Sequence, residues 1–253
     1  MISADLTGKR ALVTGGASGI GRATSEALAR CGAVVAVNHL AGDEARAAET
    51  IAAINAAGGQ AVAAAGDVSD SADAARMVAN AITALGGLDI LINNAGTPAT
   101  IEPIPLDDFE AMDEAKWQKI LSTNLIGPFR CAKQAAPALR ATKGCIVNTA
   151  SIAGLGGQAS SIAYAASKAG LVNLTRNLAK ALAPDIRVNA VAPGLTDTPW
   201  TKPWPAERKE KSIANTALRR MVRPEDIADA MVFLAAQQAV TAQTIVVDCG
   251  RNL

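Results

Sequence analysis

The sequence predicts an α/β protein: one doubly wound domain, residues 1–253, built on a parallel sheet of seven strands. Three observations predict it. Short, β-branched, mostly apolar runs lie at 10–14, 33–38, 60–64, 89–93, 145–149, 187–192 and 244–248. Ala-rich amphipathic segments near 19–31, 43–57, 69–85, 113–139, 162–182 and 225–236 separate them. The runs are apolar throughout rather than alternating, as strands are when both sheet faces are covered. Strands and helices in strict alternation give parallel crossovers and a single sheet.

Taken in order, RALV runs into the glycine-rich TGGASGIGRA, which opens the first helix. The second run ends in VNHLAGDE. The third is followed by Asp67 and Val68, with Ser69 as the expected N-cap of the next helix. The fourth ends in NNAG, residues 93–96, and leads to TPATIEPIPLDDFEAMDEAK. That segment carries Glu102, Asp107, Asp108 and Glu110, and Asp113 is a plausible N-cap for one helical segment over 113–139. Ser151 follows the fifth run, and the helix at 162–182 contains YAASK. The sixth run leads into Pro193 and Gly194. Residues 195–222, with Pro199, Pro203, Pro205, Trp200 and Trp204 and no clear strand, read as a long lid-type insertion. Pro224 ahead of Glu225 and Asp226 marks the last helix start.

Composition excludes several classes. A net charge of +1 gives no electrostatic footprint for nucleic acid or an anionic membrane surface. MISADLTGKRALV lacks the apolar region of a signal peptide, and no segment reads as membrane-spanning. Cys31, Cys131, Cys145 and Cys249 are widely spaced without a CxxC, which argues against disulfide scaffolding and a zinc site. A reduced, cytoplasmic protein without a metal is the expectation.

In such a sheet, ligands bind beyond the carboxyl ends of the strands. Gly15, Gly19 and Gly21 sit there, between a strand and a helix. A backbone without Cβ lets a pyrophosphate approach the helix N-terminus, where free N–H groups and the dipole favour anions. Tyr164 is the only tyrosine of the chain, four residues before Lys168. On a helix that spacing puts both on one face. A phenol with its usual pKa of about 10 is a poor base, and an adjacent ammonium favours its phenolate. Taken alone, a Tyr and a Lys at this spacing are more commonly an ordinary surface pair.

Together these segments resemble the short-chain dehydrogenases/reductases over essentially the whole chain. The resemblance lies in TGGASGIG, Asp67-Val68, NNAG, Asn124, Ser151, YAASK and the Pro193-Gly194 pair, in that order. It implies a Rossmann-type fold and hydride transfer between a nicotinamide and a ketone or secondary alcohol. It implies Tyr164 as proton donor and acceptor, and Ser151 as hydrogen-bond donor to the same oxygen. Lys168 would hold the nicotinamide ribose and lower the tyrosine pKa, and Asn124 would support a proton-relay water. Ser18 and Ile20 would join the three glycines around the cofactor. Asp67 and Val68 would contact adenine, Asn94 would lie near the adenosine ribose, and Ala95 and Gly96 would also bind the cofactor. Pro193 and Gly194 would shape the nicotinamide pocket, Thr198 would bind the carboxamide, and Thr196 would also bind the cofactor.

Cofactor choice is read at the end of the second strand, where a carboxylate repels a 2′-phosphate. Asn38, His39 and Leu40 stand there instead. NADP(H) is the favoured cofactor, through Asn38 and His39, with NAD(H) as the alternative; His39 is otherwise a solvent-exposed strand-end residue. A serine hydrolase is excluded by the single histidine and the absence of a G-x-S-x-G elbow. A catalytically silent dinucleotide binder is the other class, opposed by the intact Asn124, Ser151, Tyr164 and Lys168 set. Within the family the pattern is closest to 3-oxoacyl-carrier-protein reductases. Thr142 and Asp185, however, stand where a basic dock for an acidic carrier is expected, and the acidic segment after Gly96 should favour neutral ketones, sugars or alcohols over anionic acyl carriers. A 3-oxoacyl thioester stays as the alternative substrate. Leu195, Trp200 and Trp204 either line an apolar substrate pocket or pin the loop to the body. Gln158 is a weaker candidate for a polar substrate contact. The family implies a homotetramer or homodimer, using the helices near 113–139 and 162–182 and the last strand.

Overall fold

A computed structural model describes residues 4–251 apart from residue 158. Its sheet has seven parallel strands in the order β3-β2-β1-β4-β5-β6-β7. They are β1 (Arg10–Val13), β2 (Val34–His39), β3 (Gln60–Ala65), β4 (Ile90–Asn93), β5 (Cys145–Thr149), β6 (Arg187–Pro193) and β7 (Thr244–Val247). Each observed strand covers the apolar run expected of it, within a residue at either end. The central β4 and β5 are buried at every position, as strands covered on both faces must be.

The helices are α1 (Gly19–Arg30), α2 (Glu44–Ala56), α3 (Ser71–Leu85), α4 (Glu114–Leu121), α5 (Gly127–Thr142), α6 (Ile162–Leu182), α7 (Ala206–Ala214) and α8 (Pro224–Ala236). α1 and α8 pack together over one face, in a core that includes Leu28, Ile227 and Met231. α3 and α5 pack together over the other, around Met77, Leu91, Leu139 and Ile146. Strand order reverses between β1 and β4, which opens a crevice at the carboxyl edge. None of the described helices is long and apolar enough to cross a membrane.

Some local expectations need correcting. The N-cap of α3 is Asp70, whose side chain accepts from the Asp73 N–H, and not Ser69. Asp113 does cap α4, accepting from the Lys116 N–H. The expected single segment 113–139 is broken into α4, a π-helical turn over Ser122–Ile126, and α5. Pro128 explains the break. It has no N–H to give to the Asn124 carbonyl four residues back, so the turn widens before regular helix resumes. The 195–222 insertion is not all loop: it contains α7, and Thr196 pairs with Val222 as an isolated parallel bridge.

Candidate active site

The glycine turn is held from the next strand. Gly15 and Gly19 have φ of +60° and +52°, a region that costs other L-residues about 1–2 kcal/mol. A Cβ on Gly21 would lie 2.0 Å from the Gly15 carbonyl oxygen, so only glycine lets α1 start this close to the strand end. Asn38 braces the turn: its Oδ1 accepts from the Gly15 N–H at 2.9 Å. Its Nδ2 donates to the Ala64 and Gly66 carbonyls, both at 2.9 Å. With its amide committed on both sides, Asn38 shapes the turn and has no group left for a 2′-phosphate. The first turn of α1 contains no acidic residue, and exposed Ser18 at its N-cap makes no side-chain cap. Its N–H groups and dipole are therefore suited to an anion.

A second brace ties β1, β4 and β5. Thr14 Oγ1 accepts from the backbone N–H of Asn94 at 2.9 Å and of Ala95 at 3.0 Å. Asn94 Nδ2 donates to the Thr14 carbonyl at 3.0 Å. A Cβ on Gly96 would meet Asn124 Oδ1 at 3.3 Å and Lys168 Nζ at 3.7 Å. NNAG is thus both a strand-end turn and the wall beside the catalytic candidates.

Tyr164 lies in the first turn of α6, where Ser161 Oγ accepts from its N–H at 3.1 Å. One turn later Lys168 is 3 % exposed. Its Nζ donates to the Thr149 carbonyl at 2.6 Å and lies 5.8 Å from the Tyr164 ring centroid. Ser151, just past β5, accepts from the Ala153 N–H at 3.2 Å and lies close enough to Tyr164 to act on its phenol. Its loop can approach because Gly154 has no side chain: a Cβ there would be 2.5 Å from the Lys168 carbonyl carbon. Asn124 is fully buried in the π-helical turn. Its Nδ2 donates to the Thr97 carbonyl at 2.9 Å and to Ser167 Oγ at 3.2 Å, and its Oδ1 accepts from the Thr97 N–H at 2.8 Å. Ser167 Oγ in turn donates to the Tyr164 carbonyl at 2.7 Å.

The electrostatics differ from the expected lowering of the tyrosine by Lys168. Burial pushes the Tyr164 phenol up to about 12, with the Ser151 hydroxyl pulling the other way. Burial pulls Lys168 down to about 8. In this low-dielectric pocket desolvation of each ion outweighs their mutual effect.

These groups open onto one cleft of about 1080 Å³, beyond the roughly 300–1,000 Å³ of most small-molecule sites. Every cofactor and catalytic residue singled out in the sequence lines it, except Gly21, which is packed beneath, and Asn124, which is buried behind. Gln158 lies outside the described residues. His39 is not a solvent-exposed residue: it is buried, lines the cleft, and has Nδ1 3.0 Å from the Leu40 carbonyl. With Nδ1–H donating there, Nε2 is the nitrogen left for a ligand. Leu195, Trp200 and Trp204 all line the cleft, and the Arg208 guanidinium sits 3.4 Å over the Trp204 ring. Asp107, Asp108 and Glu110 are exposed and do not line it, so the acidic segment acts at the rim and not where a substrate would bind.

Sequence reasoning did not single out Thr14, although it opens the TGGASGIG segment, or Thr149, which acts through its backbone carbonyl. It also missed Arg46, which lines the cleft near His39 and pairs with Asp43 at 3.0 Å. Its place on the first turn of α2 was the available signal.

A family model described as Enoyl-(Acyl carrier protein) reductase matches residues 15–252. The granaticin polyketide synthase protein named ketoacyl reductase 2, from Streptomyces violaceoruber, is 42% identical over 246 residues, 96% of each chain. Cis-4-hydroxycyclohexanecarboxylate dehydrogenase of Sinomonas cyclohexanicum is 40% identical over 245 residues, 95% of each chain. A crystal structure from Burkholderia xenovorans, assigned to the short-chain dehydrogenases/reductases, superposes with a TM-score of 0.88 at 35% identity, covering 98% of this chain and 99% of that one.

Proposed function

The chain belongs to the short-chain dehydrogenase/reductase family, NAD(P)-dependent oxidoreductases of carbonyl and alcohol groups, and from that premise we propose how its own residues divide the work. The nicotinamide, when bound, supplies or takes back the hydride. The left-handed glycines, the Gly21 contact and the acid-free start of α1 fit its pyrophosphate. Tyr164 donates its phenolic proton to the carbonyl oxygen in reduction and accepts it in oxidation. A phenol held at about 12 keeps that proton throughout the neutral range, so reduction begins with the donor loaded. Ser151 hydrogen-bonds the same oxygen and steadies the charge that grows there. Lys168 holds the ribose hydroxyls and stands ready to return a proton to Tyr164. Asn124 has its side chain spent on Thr97 and Ser167. Its part in the relay belongs to its main-chain carbonyl, which Pro128 leaves without its helical donor.

The observation that carries this reading is the convergence of Ser151 on the Tyr164 hydroxyl with Lys168 5.8 Å from the same ring. The two named relatives point to ketones or secondary alcohols, with a 3-oxoacyl thioester as the alternative. The test is Tyr164→Phe. It should keep nicotinamide dinucleotide binding within about twofold and lose on the order of 10²-fold or more in kcat. A variant that still turns over ketones at the wild-type rate would sink the assignment.

NADP(H) is the favoured cofactor. Asn38 holds the turn, so the 2′-phosphate falls to His39 Nε2 and Arg46. The Arg46–Asp43 pair is exposed, and such pairs are held by less than about 1 kcal/mol, so Arg46 is free to swing onto a phosphate. Parallel fluorescence titration with NADPH and NADH checks it. Arg46→Gln should weaken NADPH several-fold and leave NADH unchanged; tighter NADH binding by the wild type overturns it.

A further inference from the structure

The face that α7 turns to the cleft is polar. Arg208, Lys211, Ser212 and Asn215 line the cleft, at i, i+3, i+4 and i+7 along one stripe of the helix. The acids of the same helix, Glu207 and Glu210, are exposed and do not line it. α7 buries none of its residues, so packing does not explain the stripe. A lid helix over a wholly apolar substrate would turn an apolar stripe inward.

Charge on the stripe is unevenly balanced. Arg208 is held 2.7 Å from Glu102 and stacked on Trp204. Lys211 makes no ion pair among the described residues. Arg251 closes the end of the stripe, with Nη1 donating to the Ser212 carbonyl at 2.8 Å. Ile101, Trp200, Pro203 and Trp204 give the same cleft an apolar part of its lining. The one cleft therefore brings together the Tyr164 hydroxyl, apolar side chains, and the cationic, hydrogen-bonding side chains of α7.

Resting on the carbonyl–alcohol reading of the site, we propose that the substrate carries an anionic group, a carboxylate or a phosphate, remote from the reacting carbon, received by Lys211 with Ser212 and Asn215. Lys211 is then a specificity residue: it sets which ketones bind and leaves the hydride step alone.

The experiment compares matched ketones with cofactor saturating. One pair is 5-oxohexanoate and its methyl ester. The other is acetoacetyl-coenzyme A and acetoacetyl-N-acetylcysteamine, which present a phosphate-bearing and a neutral thioester. The anionic member of at least one pair should show a KM about tenfold lower. A preference in the first pair assigns a carboxylate, and in the second a phosphate. Lys211→Met should abolish the preference with kcat unchanged, and Lys211→Glu should reverse it. Lys209→Met, on the same helix but outside the cleft lining, should do neither. Equal KM within both pairs, or a preference that survives Lys211→Met, overturns the proposal and leaves the reductase reading standing. No turnover of any probe by protein that binds NADPH removes that reading itself, and the anion site with it.

Discussion

Tyr164 and Lys168 show how far a residue's surroundings can be read from its neighbours in sequence. The spacing placed them on one face, and the structure puts them there. It did not give the sign of the pKa shifts, because burial is a property of the fold and not of the pair. The shift of Lys168 is itself a stability statement. Its folded pKa of about 8 lies below the ordinary lysine value of 10.5. Below pH 8 both states hold the proton, and the folded state bears the full cost of a buried ammonium. Between these values the unfolded chain binds more protons, so stability rises with pH. The Tyr164 shift has the opposite sign: its folded pKa is raised from 10.0 to about 12, so stability falls once pH passes 10. Lys168→Met removes the first effect and leaves the second. Denaturant unfolding at pH 8 and pH 10 should show the wild type gaining up to a few kcal/mol relative to the variant. A constant difference between the two proteins would show that Lys168 is not desolvated.

At the scale of elements, the glycine turn is a rigid unit whose parts support one another. Gly21→Ala would drive a Cβ to within 2.0 Å of the Gly15 carbonyl oxygen. The turn must then move off the Asn38 and Asn94 braces, so the variant should lose nicotinamide dinucleotide affinity by about tenfold or more and unfold at lower denaturant. Wild-type affinity in that variant would mean that the turn is pliable. The strands were legible because each is a continuous apolar run, and the motif residues because glycine, tyrosine and lysine each have a specific chemistry at the strand ends. α7 was not. A helix that buries nothing has no apolar period, and AERKEKSIA sits among prolines and tryptophans that suggest a loop. Helix-favouring composition right after Pro205 was the signal to weigh instead. The break before α5 was readable from Pro128, but only by asking which carbonyl loses its donor.

At the scale of the molecule, β7 is an edge of the sheet and carries Val246 at 44% exposure. Ile126 and Phe129, in the π-helical turn and the first turn of α5, are also exposed. An apolar edge strand and an apolar helix face left in water are sites where another chain would gain by docking. The chain should therefore assemble as a homodimer or homotetramer through these surfaces. The consequence reaches the active site. The segment after β7 is bonded to the segment after α7, through Leu218 N–H to the Cys249 carbonyl at 3.0 Å and Ala217 N–H to the Gly250 carbonyl at 3.3 Å. A partner packed on β7 would steady the base on which the α7 lid stands. Val246→Lys should halve or quarter the sedimenting mass. It should raise KM for the ketone more than it weakens NADPH, because the cofactor end of the cleft is braced by β1, β2 and β4 within one chain. A wild-type protein that sediments as a monomer at micromolar concentration would remove the assembly. A monomeric variant with unchanged KM would keep the assembly and sever its link to the lid.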